Sequence, residues 1–121
     1  DIQAPAGVIN AEQMDMLIAS AGVETVRAIL EAFWRSNDEL INALNGQLAE
    51  GDLTSAAASA HALKGSAANL GAMQLSELAR AIEAACRDND NASASQVLQK
   101  VGPDLDRTRE AFDTLLHSHA A

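Results

Sequence analysis

The chain of 121 residues has one cysteine, no tyrosine, one tryptophan and two phenylalanines. A lone thiol, Cys86, closes no internal disulfide, so packing must hold the fold, and a reducing compartment is compatible with it. Strand-favouring aromatic and β-branched residues are sparse, whereas Ala, Leu and Glu are abundant and hydrophobic residues reach 48%. That composition fits an all-α chain. Basic residues are also few, 8 against 17 acidic ones, for a formal net charge of −9. An acidic surface repels nucleic acid and anionic lipid, so neither is an expected partner. No apolar run approaches the roughly 18 residues of a membrane span, and the start lacks the basic and apolar regions of a signal peptide. Asp1 in place of methionine fits a processed chain or a segment of a longer protein.

This length supports one core. Residues 1–9, with Pro5 and Gly7, read as a linker or N-terminal extension, and residues 10–119 as the folded domain. Asn10 and Gln13 have the spacing of a capping box ahead of a short helix carrying Met14, Leu17 and Ile18 and stopped by Gly22. Val26, Leu30, Phe33, Asn37, Leu40, Leu44 and Leu48 then keep a three-four spacing as far as Gly51, a helix of about 42 Å. Trp34 is expected to pack and Asn37 to make a helix-edge hydrogen bond. Asp52 is a candidate N-cap for the next helix, which ends near Gly71. Leu75, Leu78, Ile82 and Cys86 mark the helix after that. The last helix starts at a cap on Asn91 or Ser93, and Gly102-Pro103 predicts a kink or short break at Lys100 to Gly102. His117 and His119, two apart in a frayed tail, do not share a helix face and are not read as metal ligands.

The stretch from His61 to Ala72 carries the chemistry. With residues 53 to 70 helical, Leu53, Ala56, Ala60, Leu63, Ala67 and Leu70 form one apolar stripe that must be buried. At about 100° per residue, His61 points roughly 130° from the stripe's centre, beside Ala57, Lys64, Gly65 and Ala68. Glycine inside a helix costs about 1 kcal/mol relative to alanine, so Gly65, one turn after His61, implies that the space over the ring must stay empty. Lys64 can place an ammonium beside any anion the imidazole acquires, and a phosphoryl group fits. Lys64-Gly65-Ser66 lacks the upstream glycine and strand of a phosphate-binding loop, so no nucleotide is expected.

His61-x-Leu63-Lys64-Gly65-Ser66-Ala67-x-x-Leu70-Gly71 resembles the signature of histidine-containing phosphotransfer (HPt) domains of bacterial phosphorelays. Leu78-Ala79-Arg80-Ala81-Ile82-Glu83-Ala84-Ala85 resembles the facing helix of that family. The resemblance implies an antiparallel four-helix bundle with a short extra N-terminal helix. Its exposed His61 would accept a phosphoryl group from one receiver-domain aspartate and pass it to another. Glu83 would reach the His61 ring from the facing helix, Lys64 would offset the phosphoryl charge, and Arg87 would steady Glu83 or touch the partner.

The surface expected to meet a receiver comprises Ala57, Ala58, Gly65, Ala68, Asn69, Ala72 and Arg87, and its small side chains suit brief encounters. No metal or cofactor is expected on this chain; Mg²⁺ belongs to the receiver of the hybrid sensor kinase or response regulator. The domain carries no ATP site and is expected to be monomeric in isolation. Its expected location is cytoplasmic, free or at the cytoplasmic end of a membrane-anchored hybrid kinase. Two other readings share the motif. One is the phosphorylated domain of a chemotaxis-type kinase; the other is a docking or inhibitory module that binds receivers without transfer. A histidine kinase dimerisation domain fits less well, because Glu-x-x-x-Pro does not follow the histidine.

Overall fold

The computed structural model describes residues 8–120, and among them there are five helices and no strand. They are α1 (Ala11–Ala21), α2 (Val23–Glu50), α3 (Leu53–Asn69), α4 (Met73–Arg87) and α5 (Asn91–Ala120). Short connections make α2 to α5 antiparallel neighbours in turn, and α5 closes the ring against α2. The Asn91 amide donates to the Leu48 carbonyl at 2.9 Å and fixes the start of α5 beside the end of α2. Gly51 ends α2 in the left-handed conformation (φ 76°), its N–H bonding back to Gln47 and Leu48. Asp52 caps α3 as expected, accepting from the Ser55 N–H at 3.2 Å.

The core is built from facing small and large side chains. Ala56, Ala60, Leu63 and Ala67 of α3 are fully buried, as are Leu75, Ala79 and Ile82 of α4. Alanine at these positions lets the two helices come close, and each buried leucine contributes about 1.5–3 kcal/mol relative to exposure. Trp34 packs edge-on against Phe33 (centroids 5.0 Å apart) and tilted against Phe112 (6.0 Å). Arg109 lies over the outer face of its ring at 4.8 Å.

Several local expectations need correction. Asn10 does cap α1, accepting from the Gln13 N–H at 3.1 Å, but the reciprocal half of the capping box is missing. The Asn10 N–H instead donates to the Gly71 carbonyl at 2.7 Å, and the Gln13 amide to the Asn69 carbonyl at 2.9 Å. Thus α1 is tied to the end of α3 rather than to itself. Val8 is only 4% exposed and Ile9 packs on the core, so the linker reading fails for these two residues; residues 1–7 lie outside the described residues.

Asn37 is fully buried and neither polar atom of its amide has a protein partner, so the helix-edge hydrogen bond is not made. Asp90, not Asn91 or Ser93, caps α5, accepting from the Ser93 N–H and hydroxyl. Helix α5 runs unbroken through Pro103. The proline leaves the Gln99 carbonyl without its helical donor, but Gln99, Gly102 and Pro103 are all exposed, so this carbonyl lies on the solvent side of α5 and no break is forced. The C-terminal turn is likewise tied down, with His119 Nε2 at 2.7 Å from an Asp15 carboxylate oxygen.

Candidate functional site

Helix α3 carries no aspartate or glutamate, and the two carboxylates of α4, Glu77 and Glu83, are both paired with basic side chains. On a chain of net charge −9 these two helices therefore present a face that is not acidic. His61 projects from its middle with 64% of its side chain exposed. Its outward direction follows from the buried stripe, since Ala60 and Leu63 on either side are fully buried.

Glu83 rises from α4 to meet it, with only 10% of its side chain exposed. Its Oε2 lies 3.1 Å from His61 Nδ1, and its Oε1 lies 3.2 Å from the Lys64 ammonium. Arg87, one turn further along α4, directs both Nη2 (2.7 Å) and Nε (3.1 Å) onto the same Oε2 that meets the histidine. The Arg87 guanidinium is the largest influence on the carboxyl and, with Lys64 and His61, outweighs burial and holds it down to about 2. At neutral pH Glu83 is thus a carboxylate and can only accept. The proton between the two groups must sit on Nδ1, which leaves Nε2 of a neutral ring with its lone pair. Nε2 has no protein partner among the described residues.

The start of α4 braces the site from below, where the Ser76 hydroxyl donates to the Lys64 carbonyl at 3.2 Å. A Cβ added at Gly65 would meet nothing within 4 Å. The space one turn beyond His61 is open, and the fold itself places no demand for glycine there. Gly71 differs, having φ 76° and a Cβ position only 3.2 Å from both Asn10 Cβ and Gln13 Oε1.

The structure brings His61, Lys64, Glu83 and Arg87 into one cluster. Ala58, Gly65, Ala68 and Asn69 are exposed on the same helix, as the expected receiver-facing surface would need. Ala57 and Ala72 do not belong to that surface, being 7% and 0% exposed within the core. Arg87 is exposed but committed to Glu83. Sequence reasoning missed Met73, which is 46% exposed and borders a shallow depression of about 370 Å³ together with Ala68, Gln74, Ser76 and Glu77. It also missed Gln13, whose signal was absorbed into the capping-box reading. Among the described residues no three His, Cys, Asp or Glu side chains group as metal ligands.

The Hpt domain family model matches residues 28–117. Three solved structures share the architecture. Histidine-containing phosphotransfer protein B (HptB) from Pseudomonas aeruginosa PAO1 superposes with a TM-score of 0.84 at 19% identity, over 93% of this chain and 97% of that one. The maize histidine-containing phosphotransfer protein ZmHP2 gives 0.81 at 24% identity, over 96% and 89%. The Medicago truncatula protein MtHPt2 gives 0.81 at 18% identity, over 94% and 82%. At these identities the likeness is one of fold. No curated protein matches the chain in sequence. With most of its length matched by the family model, the chain belongs to the Hpt domain family, and its fold is the helical bundle of that family.

Proposed function

We propose that this domain is a phosphorelay intermediate in two-component signalling, taking a phosphoryl group onto His61 Nε2 from the aspartyl phosphate of one receiver domain and delivering it to the aspartate of another. The observation that carries the reading is the exposed imidazole whose Nδ1–H is held by the ionised Glu83 carboxylate. In the forward step the Nε2 lone pair forms a bond to phosphorus while the P–O bond to the aspartyl oxygen breaks, and the aspartate leaves with that electron pair as a carboxylate. The ring keeps its Nδ1 proton throughout, and the positive charge it acquires is stabilised by Glu83. Lys64 turns from Glu83 Oε1 toward the phosphoryl oxygens. Return transfer runs the same path backward.

The Mg²⁺ that offsets phosphoryl charge is assigned to the receiver. The receiver docks over Ala58, Gly65, Ala68 and Asn69, with Met73 at the edge, and releases after each event. The receivers are those of a hybrid sensor kinase and a response regulator, and the domain acts as a monomer in the cytoplasm. No helix among the described residues is long and apolar enough to cross a membrane.

The test is transfer of labelled phosphate from a phosphorylated receiver to this protein and to its His61→Gln variant. Acid-labile label on the intact protein alone is the expected result. Label on both moves the acceptor elsewhere. No label on either, across receivers that still bind, favours a docking module, and label only from an ATP-charged kinase domain favours the chemotaxis-type reading.

A further inference from the structure

We infer that Arg87 is a positioning residue that sets the charge state of His61, by holding the very Glu83 oxygen on which the histidine ring rests. The inference builds on the reading of His61 as acceptor and adds how that acceptor is kept nucleophilic.

A carboxylate facing a single histidine draws it toward the imidazolium, because the doubly charged pair is the favoured state. An imidazolium has no lone pair on Nε2 and cannot attack phosphorus. Orientation of the ring by Glu83 therefore carries a cost to its reactivity. In this site the cost is removed by the surroundings. Oε2 of Glu83 accepts from Nη2 and Nε of Arg87 as well as from Nδ1, and Oε1 is taken by Lys64. One carboxylate thus faces two permanent cations before the ring is counted.

The charged groups bearing on the ring are Lys64 from α3 and Glu83 and Arg87 from α4; among the described residues no charged side chain of α1, α2 or α5 pairs with His61 or Glu83. Without the ring's charge these three sum to +1, so a further proton on His61 is opposed rather than invited. Arg87 matters more than Lys64 here, since it shares the ring's own oxygen at the shortest distance in the cluster, 2.7 Å. It also stays in place when Lys64 leaves for the phosphoryl group. Its side chain is 62% exposed and lies back along α4 onto Glu83 four residues earlier, the spacing at which a glutamate and a following basic residue pair on a helix.

The experiment compares the intact protein with Arg87→Gln, Arg87→Met and Arg87→Lys. The His61 ring is followed by its Cε1–H NMR signal against pH, and phosphorylation is followed against pH with phosphoramidate as a donor that needs no receiver. Both neutral variants should carry more proton on the ring at a given pH. The acid limb of their rate profile should move to higher pH, with the rate recovering at alkaline pH, whereas Arg87→Lys should stay near the parent. Two neutral variants guard against a packing defect in either one. A rate loss equal at all pH values, with the ring signal unmoved, would overturn the inference and leave Arg87 a structural anchor of Glu83. If phosphoramidate fails to label His61 in every protein while the ring signal still moves, Arg87 tunes the ring as inferred and the acceptor assignment is what fails.

Discussion

His61 Nδ1 and Glu83 Oε2 stand 3.1 Å apart, joining two helices through residues that are 22 apart in the chain. Replacing Glu83 by Gln keeps an acceptor for Nδ1–H but removes its charge. The difference between a charge-assisted and a neutral hydrogen bond is about 1 kcal/mol or slightly more, so phosphorylation by phosphoramidate should slow by about tenfold. An unchanged rate would remove Glu83 from the machinery.

The same carboxylate predicts how stability depends on pH. Its native value of about 2 lies below the ordinary 4.5, so its contribution is present above about 4.5 and is lost as pH falls through about 2. Because Arg87 and Lys64 are partly exposed, the contribution is about 1–2 kcal/mol after screening. Urea unfolding from pH 6 down to the acid limit should show a flatter acid limb in Glu83→Gln than in the parent.

Gly65 separates stability from function. With nothing within 4 Å of its missing Cβ, Gly65→Ala should raise unfolding stability by about 0.5–1 kcal/mol through helix propensity alone. The methyl group then stands on the approach to the ring, and transfer from a receiver should slow. Phosphoramidate is small enough to be affected less. A variant that is more stable and transfers just as fast would show that the open space has no part in docking.

Much of this site was legible because helical periodicity fixes directions. The stripe through Ala60 and Leu63 turned His61 outward, whereas the meeting of Glu83 with His61 was implied only by the resemblance of α4 to the facing helix of HPt domains. Legibility failed where side chains were too small to mark a face. In the run from Ser55 to Ala62 nearly every position is alanine or serine, so the burial of Ala57 depends on how closely the neighbouring helices approach, which no local pattern encodes. Ala72 was misplaced for another reason: it follows Gly71, whose positive φ ends the helical register on which its outward placement relied. The reciprocal half of the capping box at Asn10 failed because the Asn10 N–H donates to the Gly71 carbonyl across the fold and not to Gln13 Oε1. At Pro103 the short break did not occur, because the expectation weighed the lost bond and not the exposed position of the residues around it.

Gly71 is the hinge point of the α1 attachment. Gly71→Ala would place a methyl group 3.2 Å from Asn10 Cβ and Gln13 Oε1 on a backbone with φ 76°. Both effects act together, so the loss should exceed about 1 kcal/mol. It should appear first as faster hydrogen exchange across α1, because Asn10 and Gln13 bond to this connection. Uniform protection in α1 of the variant would mean that α1 is held by Met14 and Ile18 alone.

Asp104 offers the opposite sign of pH dependence. The residue is fully buried in α5, and one of its oxygens, Oδ1, has no hydrogen-bond partner, with only a long 3.5 Å approach from Arg107. Burial pushes its carboxyl above the ordinary range, against the smaller opposing pull of Arg107 and Thr108. A raised native value means that the protonated form favours folding at low pH and that this benefit is lost as pH rises through the native value. Above the ordinary carboxylate range the buried group therefore counts against the folded state. Asp104→Asn keeps the shape, keeps an oxygen for the Thr108 hydroxyl and removes the charge, so it should stabilise the bundle by about 1 kcal/mol at pH 7. The gain should shrink as pH falls below the native value, where the parent is already neutral. Differential scanning calorimetry of the two proteins over a pH series from neutral into the acid range measures both arms. A destabilised variant at pH 7 would mean that the Arg107 contact outweighs the cost of burial.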